Sequence, residues 1–229
     1  MKVSVSSFSE TGPRNQNEDA LFFMESGNRA VLAIADGLGG HGGGRTAADI
    51  AMKTVKNWSP KLSFSTVVFT AHDAVRKEQH SGQYKSMATT MTALNIVDGH
   101  LEGVHVGDTR CSIKRGNGIR KLTVAHTEAQ RLLDAGKLTK QQFLDYPRRN
   151  ILDNALGAKD EIYFQNFYFT VEPGDYVILT TDGVHEKIFQ KEMLGMIHGS
   201  PEEITARIKD RISELEPEDN YSGIVAHFF

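Results

Sequence analysis

Five short acidic motifs, each set where an apolar run begins or ends, constrain this chain more than any other feature. They are Glu18-Asp19, Asp36-Gly37, Gly107-Asp108, Asp182-Gly183 and Asp219-Asn220. The apolar stretch 20–24 follows the first, and 30–35 leads into the second. Residues 104–106 lead into the third and 176–179 into the fourth, while the fifth precedes 224–229. One acid at a strand end is ordinary turn chemistry, because Asp and Asn tolerate turn backbones and cap local N–H groups. Five of them spread over the whole length imply that distant strands bring carboxylates to one end of a sheet. Two carboxylates about 5 Å apart repel by roughly 3 kcal/mol at an effective dielectric near 20. Such a cluster stays ionised only beside cations, so a metal site is expected.

The intervening pattern alternates runs of strands with pairs of helices. Residues 2–8 alternate in β fashion, 19–24 form a second short strand, and 29–35 are a continuous apolar run. After the glycine loop 37–44, Ala47, Ile50, Ala51, Val55 and Trp58 recur at helical spacing, and Val68, Ala71, Ala74 and Val75 mark a second helix over 65–79. Residues 89–120 read as an antiparallel meander, with turns at Asp98-Gly99-His100 and Arg115-Gly116-Asn117-Gly118. Short helices are expected at 127–135 and 140–144 in a more polar insertion, then strands at 162–171 and 176–181. Ile204, Ile208, Ile212 and Leu215 give the apolar face of a helix over 201–215, and 224–229 is β-rich. This is not a βαβ alternation. It favours an α+β fold built on antiparallel sheets.

At 229 residues the chain suits one domain, and its 39% hydrophobic and 24% charged residues suit a soluble protein with a real core. A net charge of −3 gives no general electrostatic reason to bind nucleic acid or an anionic membrane. The first fourteen residues contain no apolar signal-peptide core, and no stretch reaches the roughly 18 apolar residues of a spanning helix. One cysteine excludes a disulfide framework. A cytoplasmic location is therefore expected.

Gly39-Gly40-His41-Gly42-Gly43-Gly44-Arg45-Thr46 nearly spells a phosphate-binding P-loop, following a strand and preceding a helix. Arg45 stands where that motif needs lysine, a compact point charge that the planar guanidinium does not reproduce, and the βαβ context is missing. The other reading is a glycine turn shaped around something close to Asp36. Cys111 lacks the spacing of a phosphatase nucleophile and reads as a small buried strand residue. No zinc motif gathers the nine histidines; His100 and His105 read as structural or exposed, and His41 as either a proton-transfer group or an ordinary loop residue.

These motifs together resemble a known family. Arg14-Asn15-Gln16-Asn17-Glu18-Asp19 is similar to the R-x-x-N-E-D opening of the PP2C-type metal-dependent serine/threonine phosphatases. The apolar run into Asp36-Gly37-Leu38-Gly39-Gly40 resembles the bacterial D-G-M-G-G motif, and Met87-Ala88-Thr89-Thr90 resembles M-G-T-T. Gly107-Asp108-Thr109-Arg110 is similar to G-D-S-R, Thr181-Asp182-Gly183-Val184 to S-D-G-L, and Asp219-Asn220-Tyr221-Ser222 to D-N-I-T. Ala125-His126-Thr127 and residues 147–152 look like pieces of the family's flap. The matches run in family order from residue 14 to 222.

The resemblance implies two antiparallel sheets packed as a central sandwich flanked by helices (αββα), as a single catalytic domain over 1–229 with a flap at about 127–158. It implies hydrolysis of phosphoserine and phosphothreonine in proteins by a water bridging two metal ions; a catalytically silent phosphoprotein-binding or signalling module is the alternative. Asp36 would bridge two Mn²⁺ or Mg²⁺ ions, the Gly37 carbonyl would ligate one, and Asp182 and Asp219 would complete the first shell. Glu18 and Asp19 would act near the second ion through water, and Asp108 with Asp182 would form a third, weaker site. Arg14 would grip the substrate phosphate. The implied partners are phosphoproteins made by a serine/threonine kinase, met by a monomer. Ala88 departs from the family glycine, Tyr221 from an aliphatic position, and Leu38 from a histidine found in some eukaryotic members.

Overall fold

Strand β3 (Arg29–Ala35) is apolar from Ala30 onward because both of its faces are covered there. Leu32 and Ile34 enter one hydrophobic core, and Val31, Ala33 and Ala35 enter another on the opposite face. The computed structural model describes residues 1–39 and 43–229, so His41 lies outside the described residues.

Two five-stranded antiparallel sheets form the centre. One has the order β1 (Val3–Glu10), β12 (Tyr221–Phe228), β11 (Tyr176–Thr180), β8 (Arg110–Arg115), β9 (Gly118–Lys121). The other has β10 (Gln165–Thr170), β7 (His100–Val106), β6 (Met91–Val97), β3, β2 (Ala20–Ser26). Their facing sides interdigitate Leu32, Ile34, Leu94 and Ile96 with Cys111, Leu179, Ile224 and Ala226. Outside the second sheet lie α1 (Gly43–Lys56) and α2 (Thr66–Ser81), where Ala33 and Ala35 meet Ala48, Ala51, Val68 and Ala71. Alanines on both partners let helix and sheet approach closely. Outside the first sheet lie α6 (Gln190–Met196) and α7 (Pro201–Glu214), which pack Met193, Ile204, Ile208 and Ile212 on Ile178 and Val225. Each such buried isoleucine contributes about 1.5–3 kcal/mol of transfer free energy. A capping box, Ser200 with Glu203, starts α7 with Pro201 in its first turn. The α+β sandwich with flanking helices is therefore the fold.

The register places all five acidic motifs at one end. Ala20 pairs with Ala35, so the start of β2 meets the end of β3. Ile34 pairs with Thr92 and Met91 with Val106, which brings the end of β7 to the same place. In the other sheet Thr180 pairs with Gly223, and Glu10 with Tyr221. The ends of β11 and β1 thus join the start of β12. A two-stranded ladder, β4 (Gly37–Leu38) with β5 (Ala88–Thr89), closes this end beside α1.

Several boundaries move from the sequence expectation. β12 starts at Tyr221 rather than at 224, because Tyr221 and Ser222 pair with Glu10 and Ser9 of β1. β7 begins at His100, and β10 begins at Gln165 rather than at 162. Asp182 does not end a strand in a turn; it opens the short helix α5 (Asp182–His185). The polar insertion holds α3 (Glu128–Asp134), capped by Thr127, and α4 (Lys140–Leu144). β3 has antiparallel neighbours on both sides, so the strand–glycine loop–helix is no part of a parallel βαβ unit. Arg45 spends its guanidinium on Asp49 (3.0 Å) and on the Asp19 carbonyl (3.0 Å), which removes the P-loop reading. His105 is buried between Thr92 Oγ1 (2.8 Å) and the Val124 carbonyl (3.1 Å), whereas His100 is exposed. Among the described residues no helix is long and apolar enough to cross a membrane.

Candidate active site

Each acid is held by backbone contacts that its own strand cannot supply. Asp36 follows β3, and its N–H donates to Thr90 Oγ1 (2.8 Å) while its carbonyl accepts from Thr90 N–H (2.9 Å) and Thr89 Oγ1 (2.9 Å). Gly37 is obligatory next to it: a Cβ there would lie 2.2 Å from the Gly44 carbonyl oxygen and 2.7 Å from that of Glu18. This close approach ties β4 both to the first turn of α1 and to the Glu18-Asp19 segment.

Asp19 is 1% exposed, and its Oδ2 accepts from Thr181 Oγ1 (3.0 Å), a contact that joins the two sheets. Thr181 Oγ1 in turn accepts from Ser222 N–H (3.0 Å). Asp219 receives the N–H of Asn220 on Oδ1 (2.8 Å) and Arg14 Nη2 on Oδ2 (2.7 Å). Asn220 is the organiser on this side. Its Oδ1 accepts from Glu18 N–H (2.9 Å), and its Nδ2 donates to the carbonyls of Thr11 (2.7 Å) and Gln16 (3.0 Å). One buried amide therefore fixes the loop that carries Arg14 and Glu18.

The electrostatics follow from burying several acids together. Burial pushes the Asp19 carboxyl up to about 7, helped by Asp182 and Asp219 and opposed by hydroxyl hydrogen bonds from Ser222 and Thr181. Asp108 is likewise pushed up to about 7 by burial and then by Asp182. Asp182 rises to about 6 through burial, Asp219 and Glu186. Asp36 lies well above the carboxylate range, from burial and then from Asp182, Asp19, Asp108 and Asp219. Five aspartates thus feel one another, with Asp108 on the side facing Asp182 and Glu186. Glu18 stands at the rim, placed by its backbone N–H.

Among the described residues, no three His, Cys, Asp or Glu side chains close into a ready-made ligand cage. Asp36 and Asp182 approach within hydrogen-bonding reach of each other, while Thr181 and Arg14 each donate to one of the other carboxylates. The donor chemistry nevertheless fits a hard divalent cation: all the charged donors are carboxylates, and a backbone carbonyl stands beside the central one. Arg14 already brings a positive group to Asp219. That ion pair is solvent-exposed, with 56% and 42% of the two side chains accessible, so it stabilises by only about 0–1 kcal/mol and exchanges easily. Cys111 cannot supply a nucleophile, since it is buried in the core and burial pushes its thiol up.

Sequence reading found the acids and Arg14 but not the groups that aim them. Thr90, Thr181 and Asn220 stood inside motifs already noticed, yet the partners they aim lie 41–209 residues away. Glu186, which raises Asp108 and Asp182, carries no local signal at all.

Comparison with known proteins bears on this geometry. The family described as "Protein phosphatase 2C" matches residues 12–219. The chain is 27% identical over 212 residues to protein phosphatase PhpP of Streptococcus pneumoniae, covering 85% of this chain and 84% of that protein. The structure resembles the serine/threonine phosphatase PstP/Ppp of Mycobacterium tuberculosis, with a TM-score of 0.90, 24% identity, and coverage of 99% and 98% of the two chains. It also resembles a PstP catalytic domain solved in complex with two manganese ions, with a TM-score of 0.86, 23% identity, and coverage of 98% and 97%.

Proposed function

Because the chain belongs to the protein phosphatase 2C family, we propose that it is a metal-dependent hydrolase of phosphoserine and phosphothreonine in proteins. The observation that carries this reading is the convergence of five mutually repelling aspartates at one end of the sandwich. Relatives of similar sequence are protein phosphatases, and a similar fold holds two manganese ions. Asp36 is proposed as the shared ligand of two Mn²⁺ or Mg²⁺ ions, with the Gly37 carbonyl, Asp182 and Asp219 on one of them. Glu18 and Asp19 serve the other through water, and Asp108 with Asp182 serves a third, weaker site. Such ions supply a water of lowered pKa and neutralise charge at phosphorus.

The protein's own share is orientation. Thr89 and Thr90 hold the main chain of Asp36, Thr181 holds the Asp19 carboxylate, and Asn220 holds the Glu18 main chain, which keeps these acids at one end of the sandwich. Arg14 leaves its exposed pair with Asp219 and donates two parallel hydrogen bonds to the phosphate, fixing the line of attack. The excursion 127–158 acts as the flap that meets the phosphoprotein, all within one catalytic domain.

Hydrolysis of a phosphothreonine peptide tests this reading. Turnover is expected with Mn²⁺ and absent in chelator. Arg14→Ala is expected to raise KM by about 10- to 100-fold, the loss of a charge-assisted hydrogen-bond pair, with a smaller change in kcat. Metal-replete protein without turnover on any phosphopeptide would instead mark a silent binding module.

A further inference from the structure

Gly107 sits immediately before Asp108, and both of its polar backbone groups go to a single residue. Its N–H donates to His126 Nδ1 (3.2 Å), and its carbonyl accepts from His126 N–H (2.6 Å). Gly107 holds φ +99°, and a Cβ there would lie 2.5 Å from Thr90 Cγ2, so the turn has room only for glycine. His126 also closes the excursion that begins just after it. Asn154, 2% exposed, donates its amide to the same Nδ1 (3.1 Å) and to the Tyr163 carbonyl (2.6 Å). The His126 carbonyl accepts from Asp153 N–H (2.9 Å), and Thr127 bridges to Leu152. The imidazole packs, tilted, against the rings of His105 (centroids 4.9 Å apart) and Tyr163 (5.0 Å). With Nδ1 accepting from two N–H donors, the ring proton resides on Nε2.

We propose that His126 is a positioning residue: it clamps the two ends of the excursion 127–153 together and locks that clamp onto the Gly107-Asp108 turn. Displacement of the excursion therefore reaches the Asp108 carboxylate through one imidazole, and the Asp108 site is assembled only when the excursion is seated. This rests on the proposed metal role of Asp108. Residues that orient metal ligands typically change metal affinity by roughly 10- to 100-fold when removed.

The test compares the full chain with His126→Leu, His126→Asn and Asn154→Ala. Asparagine presents an oxygen where Nδ1 stood, so it keeps the acceptor and loses only the ring. Two quantities are read: the rate of tryptic cleavage within the excursion, at Arg131, Lys137, Lys140, Arg148 and Arg149, and the Mn²⁺ concentration giving half-maximal hydrolysis. His126→Leu and Asn154→Ala are expected to speed cleavage and to raise the half-saturating Mn²⁺ about 10-fold. His126→Asn is expected to recover most of both. Wild-type behaviour of His126→Leu, or an Asn variant no nearer wild type than Leu, overturns the proposal. If His126→Leu does not fold, the comparison of His126→Asn and Asn154→Ala with wild type decides in the same way. A wild type without Mn²⁺-dependent turnover sinks the phosphatase reading, while the cleavage rates still decide the clamp.

Discussion

Asp36→Asn is expected to lower the rate of phosphopeptide hydrolysis by at least about 10²–10³-fold, the scale of removing one preorganised electrostatic partner. The same substitution is expected to make the chelator-treated protein more stable above neutral pH. Both effects have one cause. Asp36 is raised well above its usual range by burial and then by four neighbouring acids, Asp182, Asp19, Asp108 and Asp219. A neutral amide removes that repulsion, worth roughly 3 kcal/mol for a single carboxylate pair about 5 Å apart at an effective dielectric near 20. It also removes the ligand proposed to be shared by two ions. The backbone contacts to Thr89 and Thr90 are unchanged by the substitution, so the fold around it persists. Thermal unfolding in chelator and steady-state kinetics in Mn²⁺ check the two halves. A variant that loses activity and stability together would point to a merely structural aspartate.

Mn²⁺ affinity is expected to fall steeply below about pH 7. Asp19 and Asp108 sit near 7 and Asp182 near 6, each raised first by burial and then by neighbouring acids. Their folded values exceed the unfolded value of 3.8. The folded chelated protein therefore binds more protons than the unfolded chain between about pH 4 and pH 7. Stability from these groups is present below their unfolded values and is lost as pH rises through the folded ones. A cation reverses that trend, because it binds the deprotonated acids and evicts their protons. Affinity then changes by up to about one decade per pH unit for each proton displaced. Calorimetric titration in buffers of different ionisation enthalpy measures the release directly. Proton release is expected to be larger near pH 6 than near pH 8.5; equal affinity at about pH 5.5 and pH 8 would show that these acids do not meet the metal.

Much of the architecture could be read from local pattern. The continuous apolar run of β3, the helical stripes of α1, α2 and α7, and the turn at Arg115–Gly118 all carry their own periodicity or punctuation. What could not be read depends on partners far along the chain. Tyr221 and Ser222 are strand residues because β1 pairs with them, not because they look like a strand. α5 has four residues and α6 seven, too few for a helical stripe to show. The acids of the site were visible because five Asp-containing motifs at strand ends exceed what turns require. The groups that aim them were not, since a threonine or asparagine in a loop has many ordinary uses. Asn220 is the sharpest case: its three hydrogen bonds reach back across 202–209 residues to set the Arg14 loop.

Anomalous diffraction from crystals grown with Mn²⁺ tests the central claim most directly. Two manganese peaks are expected at the end of the sandwich, both touching the Asp36 carboxylate, with one also touching the Gly37 carbonyl, Asp182 and Asp219. Hydrolytically active crystals with manganese bound elsewhere, and none in contact with Asp36, Asp182 or Asp219, would contradict it.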